Sequence, residues 1–421
     1  MRFEMTEVSQ LEMTTTQFDS SVQRGGMSRR RFLAMTGSGG AAVVAVSALG
    51  HQYAFATPGD PAQGDVLVVV FNRGGMDGLN VVAPYRMPTY QALRPTIRVK
   101  PPEELPGSAD GAGLPLDSGG AVAPFSLSGV FGLNPGMTSL HAGPWSNGHL
   151  AVVHAAGMPA SESATRSHFE AQRNWEAGSA RLDVTDGFLN RHLEAFSDLS
   201  GVSAIGRGST LQAMLRGTAP AFAMSSISSF GLRGFHDNKS AATALSTMYP
   251  STGDLLSTVG ADTLSVTSLV SGIPDPGPQN GATYTWDGLA QGLRETARLI
   301  RANVGLRAVV LDDGGWDSHT GMGSPEDTDS SFRNRTAEFS DALTAFYTDL
   351  GAAMDEVTVV TVSEFGRTIN ENSSGGTDHG RATAMFVMGR NVNGGVSVTS
   401  HPRSPTVRRG TWSSPTTSDG S

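Results

Sequence analysis

The chain has 421 residues, 38% hydrophobic and 16% charged, with five Trp. That is enough apolar material for a sizeable core and excludes wholesale disorder, and the length fits either two or three domains or one α/β fold with large insertions. The formal charge of −9, with no Lys/Arg run beyond Arg29–Arg31, gives no electrostatic footprint for a polyanion and argues against nucleic acid as a partner. Zero cysteines remove disulfides, thiolate nucleophiles and Cys-ligated metal clusters, so any metal must be held by His, Asp, Glu or Asn.

The N-terminus reads as an export signal. Ser28-Arg29-Arg30-Arg31-Phe32-Leu33 precedes an uncharged Ala/Val/Gly-rich stretch ending in Ala54-Phe55-Ala56, the pattern of a twin-arginine signal with a small-x-small cleavage site. Gly37, Gly39, Gly40 and Gly50 interrupt the stretch, which argues against a membrane span there, and no integral membrane span is expected in the mature chain. Residues 1–56 are therefore expected to be the signal. The twin-arginine translocase is the expected partner during export, and the protein is expected to be periplasmic or extracellular.

Four runs downstream have the continuous apolar character of strands buried on both faces of a parallel sheet. They begin at Val66, Leu150, Leu306 and Val357, and each ends in a Gly-rich or polar loop. Helical patterns lie between them, at Phe169 to Ala177, Leu289 to Asn303 and Phe332 to Met354. The alternation predicts an α/β fold with a mainly parallel sheet flanked by helices over residues 57–396. Residues 200–270 mix short apolar groups with Ser and Gly and are expected to be an insertion or cap. Ligands of such sheets bind beyond the carboxyl ends of the strands.

Those loops carry the chemistry-bearing residues. The first leads into Arg73-Gly74-Gly75-Met76-Asp77, where paired glycines present an Asp. The loop after the third strand contains Asp317-Ser318-His319, and a carboxylate and an imidazole two residues apart suit a divalent ion with O and N ligands. The fourth strand leads to Arg367 and then to Asp378-His379 between glycines. Asp77, Asp317, His319, Asp378 and His379 together have the logic of a one- or two-metal hydrolytic site for Zn, Mn, Ca or Mg. They are expected to cluster at the carboxyl edge, crowded enough for the acids to raise one another's pKa values. After the second strand come Ser163, Thr165, Arg166, Ser167 and His168. Hydroxyls before a helix are first of all N-cap residues, but Ser163, Thr165 or Ser167 is also a candidate nucleophile with His168 alongside. Arg73, Arg166 and Arg367 are candidates for gripping anionic oxygens.

The segments Phe71 to Asn80, Arg166 to Gln172, Gly314 to His319, Ser363 to Thr368 and Gly376 to Gly380 together resemble the bacterial domain-of-unknown-function 1501 family, over about residues 30–396. That family is similar to the alkaline phosphatase and sulfatase fold, without an assigned reaction. The resemblance implies that Asp77 and the Asp378-His379 pair are metal ligands, and that Asp317 and His319 serve the other metal, although the superfamily usually spaces those two four apart. It fixes no nucleophile, and the superfamily's last histidine has no counterpart here. With a suitable choice of codons, a shifted reading frame over residues 410–419 can spell a stretch that looks like the family's continuation, so residues 397–421 are expected to be an out-of-frame or disordered tail and the chain to lack its last strand and helix.

The expected function is an exported, metal-dependent hydrolase-like protein acting on a phosphate or sulfate ester, an anionic small molecule or glycan. The alternatives are a non-catalytic cell-envelope scaffold with a vestigial site and a binding protein for an anionic glycan.

Overall fold

A computed structural model describes residues 65–106, 109–116, 129–159, 165–196, 202–230 and 266–398, with isolated positions at 243, 247 and 264. The expected signal segment, Ser163 and the tail beyond Val398 lie outside the described residues.

One eight-stranded sheet organises the molecule. Its strands are β1 (Val66–Asn72), β5 (Leu150–Ala156), β6 (Ala204–Arg207), β7 (Phe222–Met224), β8 (Ala308–Asp313), β9 (Val357–Val362), β10 (Thr383–Met388) and β11 (Gly395–Val398). They lie in the order β11-β5-β10-β9-β1-β8-β6-β7. A three-stranded ribbon of β2 (Val82–Ala83), β3 (Leu114–Pro115) and β4 (Gly132–Leu133) stands apart. In the large sheet all strands run one way except β10, which is antiparallel to both β9 and β5. The carboxyl ends of β1, β5, β8 and β9 therefore share one edge with the start of β10.

The sheet is covered on both faces, which is why its strands read as unbroken apolar runs. Along β1, Val66, Val68 and Val70 face one core, with Leu289, Leu293, Phe339 and Phe346. Val69 and Phe71 face the other, with Trp175, Leu189 and Leu193. The helices that provide this cover are α3 (His168–Ala177) and α4 (Phe188–Leu193) on one side and α5 (Gly288–Arg301) and α6 (Ser331–Leu350) on the other. Two shorter helices, α1 (Gly78–Val81) and α2 (Pro88–Leu93), follow β1. Helix α5 starts where the Asp287 carboxylate caps the Ala290 N–H at 2.9 Å, and α6 where Ser330 caps Arg333.

One expectation changes here. Residues 202–230 are not a cap over the sheet, because β6 and β7 extend it edgewise beside β8. Their Ala, Gly and Ser residues hide the strand pattern, since small side chains suffice where the sheet is covered closely. At the other edge β11 pairs with β5 through Val398, the last described residue.

Candidate metal centre

The loops at the shared edge are packed on one another before any ligand is considered. Gly74 has φ +122°, and a Cβ there would lie 2.4 Å from the Asp317 nitrogen, so only glycine lets the loop after β1 touch the loop after β8. Gly74 N–H donates to Glu364 Oε1 at 2.9 Å and Met76 N–H to Ser363 Oγ at 2.9 Å, tying in the loop after β9. Gly376 approaches just as closely from above, where a Cβ would stand 2.3 Å from the His319 carbonyl carbon.

On this base His168, Asp317 and His379 each aim one ligand atom at a common space, all within 4.8 Å of one another. His168 Nε2 is 3.6 Å from Asp317 Oδ2, and His379 Nε2 is 3.5 Å from Asp317 Oδ1. These spacings suit donors that share one ion at bonds of about 2.0–2.2 Å. His319 Nε2 lies 3.2 Å from Asp317 Oδ1 and 2.8 Å from His379 Nε2, and its Nδ1 is 3.4 Å from Asp378 Oδ1. Asp378 is thus at the exposed rim, where Asn372 Nδ2 also donates to it at 3.2 Å.

The ring orientations are fixed from behind, as they are for metal-ligating histidines. His379 Nδ1 donates to the Arg166 carbonyl at 2.8 Å, which leaves the lone pair on Nε2. His168 Nδ1 faces Glu364 Oε1 at 2.8 Å, so its Nε2 is the free nitrogen, and that atom is buried without a hydrogen-bond partner. An orphaned buried nitrogen beside a carboxylate is the observation that fits a cation here. Phe365 supports both rings, at 4.8 Å from His168 and 4.6 Å from His379. Glu364 was not among the residues expected at the site. Its signal is a Glu two residues past the end of a buried strand, meaningful only once the partner 196 residues away is known.

The electrostatics run opposite to the expected crowding of acids. Burial by itself would raise Asp317, but the hydrogen bond and charge of Arg367, with His319 and His168 nearby, hold it below the ordinary carboxylate value. Asp378 is lowered by the Asn372 amide and His319. Burial likewise opposes ionisation of Glu364, yet bonds from Gln172, His168 and the Gly74 N–H bring it below the usual range. Burial lowers His379, against the bond to the Arg166 carbonyl, and Arg367, His168 and His319 add to the lowering. The cluster therefore combines ionised carboxylates with a neutral-leaning imidazole, the protonation states a divalent ion requires.

Three expected residues have other work. Asp77 is fully buried and is not among the residues whose ligand atoms converge at the cluster. It caps α1 through the Leu79 and Asn80 N–H groups, pairs with Arg94 Nη1 at 2.8 Å, and accepts from Thr377 Oγ1 at 3.2 Å. Both carboxylate oxygens are engaged, by five hydrogen bonds in all. Arg367 is fully buried and donates to the backbone carbonyls of Gly74, Gly75, Thr377 and Trp316 and to Asp317 Oδ1. Arg73 pairs with Asp312 and Glu176 and lies over the Phe71 ring at 3.7 Å. Neither guanidinium is free to grip a substrate. Arg166 is exposed, and among the described residues its side chain forms no ion pair. Ser167 occupies the N-cap position of α3 without a side-chain capping bond, while the Thr165 hydroxyl donates to Glu170 at 2.7 Å. Through the Arg166 carbonyl this segment adjoins His379.

The fold and site define an α/β protein with a His/Asp cluster fit for a divalent cation at the carboxyl edge of its sheet. The chain belongs to the DUF1501 family, described as proteins of unknown function, whose model matches residues 149–408. The match begins after the Phe71–Asn80 segment and continues past residue 397. No curated protein matches the sequence. Among solved structures, the chain is similar to the C-terminal periplasmic domain of EcEptC from Escherichia coli in complex with Zn, at 11% identity and TM-score 0.33, covering 80% of this chain and 75% of that one. It is also similar to a protein in the alkaline phosphatase superfamily from Vibrio parahaemolyticus, at 10% identity and TM-score 0.29, with coverages of 89% and 72%. A third is alkaline phosphatase from the Antarctic bacterium TAB5, at 10% identity and TM-score 0.27, with coverages of 82% and 95%. Resemblances this distant carry no information about chemistry. Among the described residues no helix is long and apolar enough to cross a membrane.

Proposed function

We propose that the protein is an exported, metal-dependent hydrolase acting on a phosphate or sulfate ester, with a divalent Zn, Mn, Ca or Mg ion held by His168, Asp317 and His379. The observation that carries this reading is the buried, partnerless His168 Nε2 beside Asp317, with Glu364 orienting the ring from behind. His319 and Asp378 complete the surroundings of the ion. A bound ion would polarise an ester oxygen and lower the pKa of a water or hydroxyl. Around it, Ser167 offers an exposed hydroxyl not engaged in capping and Arg166 an unpaired cation for an anionic oxygen. Ser167 is therefore favoured over Thr165, whose hydroxyl is already engaged by Glu170. The twin-arginine motif at Ser28–Leu33 supports folding before export to the periplasm or beyond.

One observation favours a second reading. Arg73 and Arg367 are committed to protein groups, which leaves Arg166 alone of the three candidate arginines for substrate and suits a non-catalytic envelope scaffold or anionic-glycan-binding protein with a vestigial site. Protein exported through the twin-arginine route should contain bound divalent metal and release product from a panel of aryl phosphates and sulfates only when metal is present. Bound metal without turnover selects the second reading, and metal-free protein whose stability is indifferent to chelation removes the site altogether.

A further inference from the structure

Next to the metal cluster, and sharing Asp317 with it, a cleft of about 290 Å³ runs between the loop after β8 and the first turns of α6. Its size falls at the lower end of small-molecule sites, at about 300 Å³. Ser318, Thr320, Asn334 and Glu338 line it with hydroxyl, amide and carboxylate groups, over the buried side chains of Met322 and Phe332. Two polar atoms among its walls lack partners although they are buried, Ser318 Oγ and Arg335 Nε.

The charges lining the cleft are already matched. Arg335 pairs with Asp313 and with Glu338 at 2.8 Å, its guanidinium 5.0 Å from the Trp316 ring, and Asp317 pairs with Arg367. A second anion would find no surplus cation, and an ammonium would meet only Glu338 and Asp317, both already paired. What the walls lack is neutral hydrogen-bonding company above an apolar floor. A sugar ring presents that combination, with hydroxyls around its edge and C–H groups on its face.

We propose that this cleft is a subsite for a single neutral glycosyl unit, lying beside an ester group placed on the His168–Asp317–His379 cluster. The inference rests on the hydrolase reading for the position of the ester, but the cleft's own binding does not need the metal. Asn334 and Glu338 are its specificity-determining residues. Both are exposed, and neither is a metal ligand.

The test is calorimetric or saturation-transfer NMR titration of the full protein with methyl glycosides of glucose, galactose, mannose and N-acetylglucosamine, with and without divalent metal. At least one glycoside should bind saturably, and Asn334→Ala and Glu338→Gln should each weaken it about threefold or more while metal content is unchanged. Glycoside binding that survives removal of metal sustains the subsite even if the protein hydrolyses nothing. Metal-dependent ester hydrolysis without glycoside binding overturns the subsite and leaves the hydrolase reading standing. Variants that bind as the native protein does, or preferential binding of tetramethylammonium, overturn it as well.

Discussion

Behind His168 sits a carboxylate that touches no candidate substrate position, yet it determines which ring nitrogen faces Asp317. Glu364→Gln keeps the volume and replaces the acceptor of His168 Nδ1 with an amide. Metal affinity, measured by competition with a chromogenic chelator, should fall about 10- to 100-fold with the secondary structure intact. Unchanged affinity would mean that the carboxylate is packing and not an orienting group. The Asp77–Arg94 pair makes a different prediction, one of stability. Both side chains are fully buried, and Arg94 also holds the carbonyls of Thr368 and Ile369 at 2.7 Å. Arg94→Leu strands a buried carboxylate and should cost about 3–5 kcal/mol in urea unfolding, with the double variant Asp77→Asn, Arg94→Leu recovering part of it. A loss below about 1 kcal/mol, the level of a surface pair, would rule this account out. Sequence reading could single out Asp317, His319 and His379, which the fold brings together, because polar residues in Gly-rich loops after buried strands have few other reasons to be there. It misassigned Asp77 because nothing local announces that an arginine 17 residues on will be buried against it.

Among the elements, β1, β5, β8 and β9 were legible because a strand covered on both faces must be apolar throughout. β10 is buried at all six positions too, but its reversed direction depends on the connection through residues 363–382, and a periodicity has no direction. β5 adds a titratable group away from the metal cluster. His154 Nε2 meets the Val82 carbonyl at 2.9 Å and its Nδ1 accepts from the Ala155 N–H at 3.1 Å, so both nitrogens are satisfied only in the neutral ring. Burial lowers its pKa, against the raising effect of the Val82 bond. The unfolded chain then binds a proton near pH 6.5 that the folded one refuses, so this stability is present above pH 6.5 and is lost as pH falls toward the depressed folded value. Replacing His154 with Gln removes the titration. The difference in melting temperature between native protein and His154→Gln should shrink as pH drops from 7.5 to 5, and a difference constant across that range would refute the assignment.

For the molecule as a whole, a ligand that binds only the folded state stabilises it by mass action. Free divalent metal at a hundred times its dissociation constant should add about 2.7 kcal/mol, read as a rise in melting temperature that chelation reverses. A His379→Ala variant should show no such rise. If it shows the full rise, the ion is bound elsewhere. The contact between Met76 N–H and the Ser363 hydroxyl joins residues 287 apart, and β1 lies between two strands from the last third of the described chain. A nascent chain still on the ribosome therefore holds its first strand without either neighbour until most of the protein has been made. No truncated product ending before His379 contains the cluster, whatever its earlier segments have formed. Metal capture by this cluster would thus require synthesis at least through His379 together with folding, and a pulse of metal during translation should leave shorter products unlabelled.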